Sequence, residues 1–171
     1  MAKIIIIGCP GSGKSTMTFK INEILNYPVL HLDKTYHIDN NTHISRAELV
    51  EKVNSFVTSH QNWIIDGNYI STIEQRIQLA DTVILLDIDK DTCIQNAIGR
   101  SKKEKTADMA DGFDNSQIQN EFIEFIKNFK SNSLPKIMEL LEHYKHDKKI
   151  FIFKTYSEID DFIKALSTTT I

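Results

Sequence analysis

The chain reads as an α/β protein built on a buried, parallel, five-stranded sheet. Short apolar runs alternate with longer stretches of helical period, the pattern of successive β-α-β units. A glycine-rich phosphate-binding loop stands directly between the first apolar run and the first helical stretch, which is where such a unit carries one.

Taken in order, residues 3–7 are the first strand, ending in four consecutive isoleucines. The loop follows, and Met17, Ile21, Ile24 and Leu25 then recur at helical spacing. Residues 28–32 form the second strand. Leu49, Val50, Val53, Phe56 and Val57 give the next helix, with Ser45 and Glu48 placed as a capping box at its start. Residues 63–65 and 82–86 are the third and fourth strands, and Ile94, Ala97 and Ile98 mark a helix after the fourth. Two amphipathic patterns follow, Ile118/Phe122/Phe125/Ile126/Phe129 and Ile137/Met138/Leu141/Tyr144, separated by the break at residues 131–135. Their aromatic stripes are read as core. Residues 150–153 are the fifth strand, and Ile159, Phe162, Ile163 and Leu166 define a last helix.

At 171 residues the chain has the length of one domain, and we expect a single domain over 1–171. Its 41% hydrophobic and 25% charged residues match folded globular usage and exclude wholesale disorder. A net charge of −3 supplies no general attraction to nucleic acid or anionic membrane. No segment reaches the roughly 18 apolar residues of a membrane span, so the cytoplasm is the expected compartment. Cys9 and Cys93 make neither a disulfide framework nor a metal-spaced cluster; Cys9 is read as a small residue tolerated in the loop.

Gly8-Cys9-Pro10-Gly11-Ser12-Gly13-Lys14-Ser15 is a complete G-x-x-x-x-G-K-S loop. Its glycines let backbone N–H groups turn toward phosphates, and the helix that follows adds partial positive charge at its N-terminus. Lys14 can reach the β- and γ-phosphates, and the Ser15 hydroxyl can ligate Mg²⁺. Gly8, Gly11, Ser12, Gly13, Lys14, Ser15 and Thr16 are therefore the nucleotide-binding candidates, with ATP and Mg²⁺ the expected cofactors.

Three strands lead into an aspartate, at Asp33, Asp66 and Asp87. Ligands of open parallel sheets bind beyond the carboxyl ends of the strands. A carboxylate there can hold Mg²⁺ or take a proton from an attacking hydroxyl. Each also has an ordinary reading as a helix cap or turn former. The chain holds only three arginines, Arg46, Arg76 and Arg100. Planar two-pronged phosphate recognition needs arginine, which makes Arg76, after the turn at 66–69, a candidate on the acceptor side. Arg100 opens the polar stretch Gly99 to Asn115 and suits a lid residue, the lid spanning about 100–115. Arg46 reads as an ordinary first-turn helix residue. His31 and His37 flank Asp33 without the company of a zinc site.

On these residues the sequence resembles the adenylate-kinase-like branch of P-loop kinases: residues 8–16 look like their phosphate loop, Ile64-Ile65-Asp66-Gly67 their third strand, and residues 80–87 their fourth. Within that branch it is most similar to bacterial DNA topology modulation proteins, through His31-Leu32-Asp33-Lys34, Trp63 to Tyr69, Arg76 before Ala80-Asp81, and Asp108-Met109-Ala110-Asp111-Gly112. The resemblance implies a three-layer P-loop NTPase fold with sheet order 2-3-1-4-5, helices on both faces and a small lid. It also implies Asp66 as the magnesium-linked carboxylate and Arg100 in the lid. One departure is plain: Asn68-Tyr69 stands where nucleoside monophosphate kinases carry Pro-Arg after Asp-Gly-Phe.

Three readings stay open at the level of sequence. The first is a small-molecule kinase moving the ATP γ-phosphoryl group to an unidentified hydroxyl or nucleotide-like acceptor, with Lys14, Asp33, Arg76 and Arg100 as catalytic candidates and Ser15 and Asp66 as metal ligands. The second is an ATP-dependent switch or slow ATPase acting through a protein partner. The third is direct DNA binding, for which only the cluster Lys102-Lys103-Glu104-Lys105 offers charge; neither membrane nor nucleic-acid partners are expected.

Overall fold

The computed structural model describes residues 2–39, 42–100 and 120–169. The stretch foreseen as a lid, apart from Arg100, lies outside the described residues, as do the 102–105 cluster and the 108–112 motif.

The isoleucine run becomes β1 (Lys3–Gly8), with Ile5, Ile6 and Ile7 wholly buried. Burying each such side chain is worth about 1.5–3 kcal/mol, so the run fixes this strand at the centre of the sheet. Around it lie β2 (Val29–His31), β3 (Trp63–Asp66), β4 (Thr82–Leu86) and β5 (Lys149–Phe153). All pairs are parallel and the order is β2-β3-β1-β4-β5, with helices packed on both sides. Ile6 pairs with Asp66, Asp66 with His31, and Gly8 with Leu86, which brings the carboxyl ends of four strands to one edge.

The foreseen helices are α1 (Lys14–Leu25), α3 (Arg46–Ser59), α5 (Lys90–Arg100), α6 (Asn120–Asn132), α7 (Leu134–Tyr144) and α8 (Tyr156–Thr169). Asn26, at φ 51, closes α1 in the left-handed conformation that asparagine tolerates better than most residues. The capping box at α3 forms as expected: Glu48 N donates to Ser45 Oγ at 3.2 Å, and Ser45 N donates to Glu48 Oε2 at 2.8 Å. A similar pairing of Thr155 and Glu158 opens α8.

Two helices differ from the sequence expectation. The second strand ends at His31, not at residue 32, because Leu32 turns into the core and begins the short helix α2 (Leu32–Tyr36). Thr35 Oγ1 donates to His31 O at 2.7 Å and secures that turn. Residues 70–79 form α4 (Ile70–Leu79), with Thr72, Ile73, Arg76 and Ile77 buried. No side chain caps its start, so the usual entry signal is missing. The aromatic stripes are core only in part. Ile126, Phe129, Ile137 and Leu141 are buried, whereas Phe122, Phe125 and Met138 remain exposed, since α6 and α7 cover only the faces turned to their neighbours.

Candidate active site

The phosphate loop runs from the end of β1 into α1. Gly8, Gly11 and Gly13 all take positive φ, and Gly13 forms the uncapped start of α1, whose first turn carries no acidic side chain. The N-terminal N–H groups of a twelve-residue helix thus open toward an anion. Lys14 Nζ donates to Cys9 O at 3.1 Å, folded across the loop it would leave to meet a phosphate. Ser12 is buried with no hydrogen-bond partner for its hydroxyl; Ser15 is half-buried and Thr16 exposed.

Neighbouring helices brace this loop at contacts that spacing alone did not show. A Cβ on Gly11, which sits at φ +81, would lie 2.1 Å from Cys93 O, so α5 rests directly on the loop. One turn along α5, Asn96 Nδ2 donates to Gly11 O at 2.9 Å and lies 2.8 Å from the Tyr156 hydroxyl of α8. Arg100 follows Asn96 by four residues, on the same helix face. Cys9 and Cys93 meet through their thiols; this hydrogen bond, with burial, pushes the Cys9 thiol far above its ordinary range, and the same bond draws Cys93 down against its burial. Position near a helix N-terminus therefore does not activate Cys9.

Asp66 closes β3 and is almost fully buried. Its Oδ1 lies 2.9 Å from His31 Nδ1, and its Oδ2 is buried with no hydrogen-bond partner. A buried carboxylate oxygen left in that state calls for a proton donor or a cation. No group of three or more His, Cys, Asp or Glu side chains able to hold a metal occurs among the described residues. Mg²⁺ does not require one, because it is held by one or two protein oxygens together with phosphates and water.

Beyond Asp66, Gly67 takes φ +130 with Leu32 filling the space where a Cβ would sit, 2.6 Å away. The turn that follows is gripped by Arg76. This guanidinium is wholly buried. Nη1 donates to Gly67 O at 3.0 Å, Nη2 to Asn68 O at 3.0 Å and to Tyr69 O at 3.2 Å, and Nε to Thr72 Oγ1 at 3.3 Å. Burial pulls Arg76 down to about 10, against the opposing pull of Tyr69, Asp66 and Asp33, and it stays charged at neutral pH. The arginine expected to face an acceptor is committed to backbone oxygens instead.

Asp33 lies in the first turn of α2, not at a strand end, and is exposed. Burial first, then the charge and hydrogen bonding of the nearby Asp33 carboxylate, push the Tyr69 phenol well above its ordinary value. Tyr36 joins the group, stacked on His43 at 4.6 Å between centroids and 4.9 Å from the Tyr69 ring. Burial draws His37 below its ordinary value, opposed by Asp33. Asp87 is remote from this cluster and pairs with Lys130 at 3.4 Å. Two surface hollows elsewhere, one beside Tyr27 and His60 and one between α3, α4 and α7, include neither a phosphate-loop residue nor Asp66. No helix among the described residues is long and apolar enough to cross a membrane.

Comparison with known proteins places this geometry. No family model matches the chain. A deoxyadenosine kinase from M. mycoides, solved with its products dCMP and a flexible dCDP bound, superposes with a TM-score of 0.57 at 16% identity, covering 98% of this chain and 97% of that one; at that identity the likeness is one of fold, and the fold is of the P-loop NTPase type. An adenylate kinase from Encephalitozoon cuniculi (strain GB-M1) is 30% identical over 122 residues, spanning 59% of this chain and 67% of that protein. Identity at that level over two thirds of the relative's length reflects common descent, and this chain belongs to the adenylate kinase family.

Proposed function

We propose that the chain transfers the γ-phosphoryl group of ATP to a small-molecule acceptor. The observation that carries this reading is Asp66. Its unpartnered, buried Oδ2 lies one strand from β1, at the level of Ile6 and two residues short of the phosphate loop. His31 accounts for one oxygen of this carboxylate; the other has no structural partner, and a triphosphate-binding loop lies beside it. Mg²⁺ would be held there by Asp66 and Ser15 and would supply neutralisation of charge on the phosphates.

Gly8, Gly11, Ser12, Gly13 and Thr16 would line the phosphate cradle. Lys14 would exchange the Cys9 carbonyl for phosphate oxygens, stabilising charge where it develops. Arg100, one turn beyond the residue that holds Gly11, would close over the same phosphates. Asp33 would orient the attacking group, since a base must lie within hydrogen-bond reach of the proton it takes. Arg76 acts in this scheme as a positioning residue: it shapes the 67–69 turn between Asp66 and Tyr69 and does not meet the acceptor.

The test is ADP formation by the purified protein with Mg-ATP, with and without acceptor pools, using Lys14→Ala as the blank and circular dichroism to check its fold. Acceptor-dependent ADP that disappears in the variant is expected. One slow rate in every pool would instead favour an ATP-dependent switch working through a protein partner. The narrower likeness to DNA topology modulation proteins suggests DNA as a partner, a reading the net charge of −3 disfavours. A salt-dependent DNA shift would support it.

A further inference from the structure

The phosphoryl acceptor can present either a phosphate or a hydroxyl, and the two ask opposite things of a pocket. A phosphate dianion needs cationic donors, best supplied by the two-pronged guanidinium. A hydroxyl needs a carboxylate to take its proton and neutral groups to orient it.

The side of the site formed by α2 and the turn after β3 is built for the second. Every nitrogen of Arg76 is engaged below the turn with Gly67, Asn68, Tyr69 and Thr72. Arg46, at the start of α3, sends Nη2 to Ser71 O at 2.7 Å. This side presents instead the exposed Asp33 carboxylate, close enough to the Tyr69 phenol to raise it. Asn68, between Asp66 and Tyr69, has both side-chain amide atoms buried with no hydrogen-bond partner. A hydroxyl reaching these atoms would satisfy both, because it donates and accepts at once. Among the described residues of this side, a phosphate would meet the carboxylates of Asp33 and Asp66, with Lys34 offering a point charge and no two-pronged donor. Tyr36, His43 and Tyr69 supply an aromatic wall beside Asp33, a surface suited to a flat ring.

Resting on the kinase reading above, we infer that the acceptor is a nucleoside-like compound phosphorylated on a neutral hydroxyl, not a nucleoside monophosphate phosphorylated on its phosphate. The hydroxyl oxygen attacks the γ-phosphorus as its proton passes to the Asp33 carboxylate. A new O–P bond forms, and the bond from the γ-phosphorus to the bridging oxygen breaks with its electron pair left on ADP. Asp33 then returns the proton to solvent.

The experiment gives the wild-type chain Mg-ATP with the common ribo- and deoxyribonucleosides, and separately with their 5′-monophosphates, and reads the products by mass spectrometry. Nucleosides are expected to be converted to monophosphates with kcat/KM at least about 100-fold above any conversion of monophosphates to diphosphates. Asp33→Asn is expected to lower kcat for the nucleoside by about 100-fold or more, the scale of a lost general base, with KM little changed and ATP binding by calorimetry intact. Transfer to monophosphates in preference, lost in Lys14→Ala and weakened by Lys34→Ala, would overturn the hydroxyl acceptor and leave the kinase reading standing. ADP formation indifferent to every acceptor would overturn both.

Discussion

His31 Nδ1 and Asp66 Oδ1 are 2.9 Å apart, joined across the β2–β3 register that sets the two residues side by side. The contact occupies one carboxylate oxygen and leaves the other pointing to no partner. Groups that orient a metal-bound carboxylate commonly change affinity or activity by 10–100-fold when removed. His31→Ala is therefore expected to raise the Mg²⁺ concentration needed for half-maximal ATP turnover by about that factor, with a stability loss of about 1–3 kcal/mol from the buried carboxylate left unpaired. An unchanged Mg²⁺ requirement would mean that the imidazole does not position Asp66.

The wholly buried Arg76 supports the turn that carries Gly67, Asn68 and Tyr69 through three hydrogen bonds and is tied to Thr72 by a fourth. Arg76→Met keeps much of the volume but leaves buried carbonyls unsatisfied, each costing about 1–3 kcal/mol. We expect a total loss of roughly 3–5 kcal/mol, the scale of breaking a buried charged network. Urea unfolding measures this directly: the midpoint falls with little change in slope. A variant that lost acceptor turnover at wild-type stability would show instead that the guanidinium meets the acceptor.

The sheet was legible because its central strands are buried on both faces, so β1 and β4 appear as apolar runs. The phosphate loop was legible because three glycines and a lysine must stand at set spacings for backbone N–H groups to face phosphate. α4 was not. Its buried set Thr72, Ile73, Arg76 and Ile77 mixes polar with apolar residues, and a buried arginine looks from sequence like a surface cation. The pairing of residues 43 and 36, and of 96 with 11, depends on tertiary approach that no local period encodes. Ile70, Ile73 and Ile77, at i, i+3 and i+7, were the available sign of α4.

Acid should loosen the fold through carboxylates that hold helix starts and surface ties. Glu48 lies below its ordinary 4.5 through hydrogen bonds from Ser45, and Glu158 through those from the Lys154 and Thr155 backbone. Asp89 lies below its ordinary 3.8 through Thr92, and Asp160 through Lys20. With each group's folded value depressed, the unfolded chain takes up protons first as pH drops. Their stabilisation is complete above about pH 5 and is lost as pH falls through the folded-state values below 4.5 and 3.8. Urea midpoints measured from pH 7 to pH 3 should decline in that window, and Glu158→Gln should flatten part of the decline. A flat profile would show that these carboxylates contribute nothing.

Gly11 separates the loop's role in folding from its role in binding. Its φ of +81 disfavours any side chain, by about 1–2 kcal/mol for the left-handed region. The added methyl would also meet Cys93 O at 2.1 Å, with the Cys93 Cα at 3.1 Å, and these are backbone atoms of α5 that cannot rotate away. Gly11→Ala must therefore push the loop from α5, lengthening the 2.9 Å bond from Asn96. The expected result is a stability loss of roughly 2–4 kcal/mol from combined strain and overpacking, together with ATP binding weakened at least about 10-fold because the N–H cradle is displaced. Asn96→Ala provides the comparison, removing the brace without the clash: stability should fall by only about 1 kcal/mol. If calorimetry then shows wild-type ATP affinity in Asn96→Ala but not in Gly11→Ala, the shape of the loop governs binding and the brace does not.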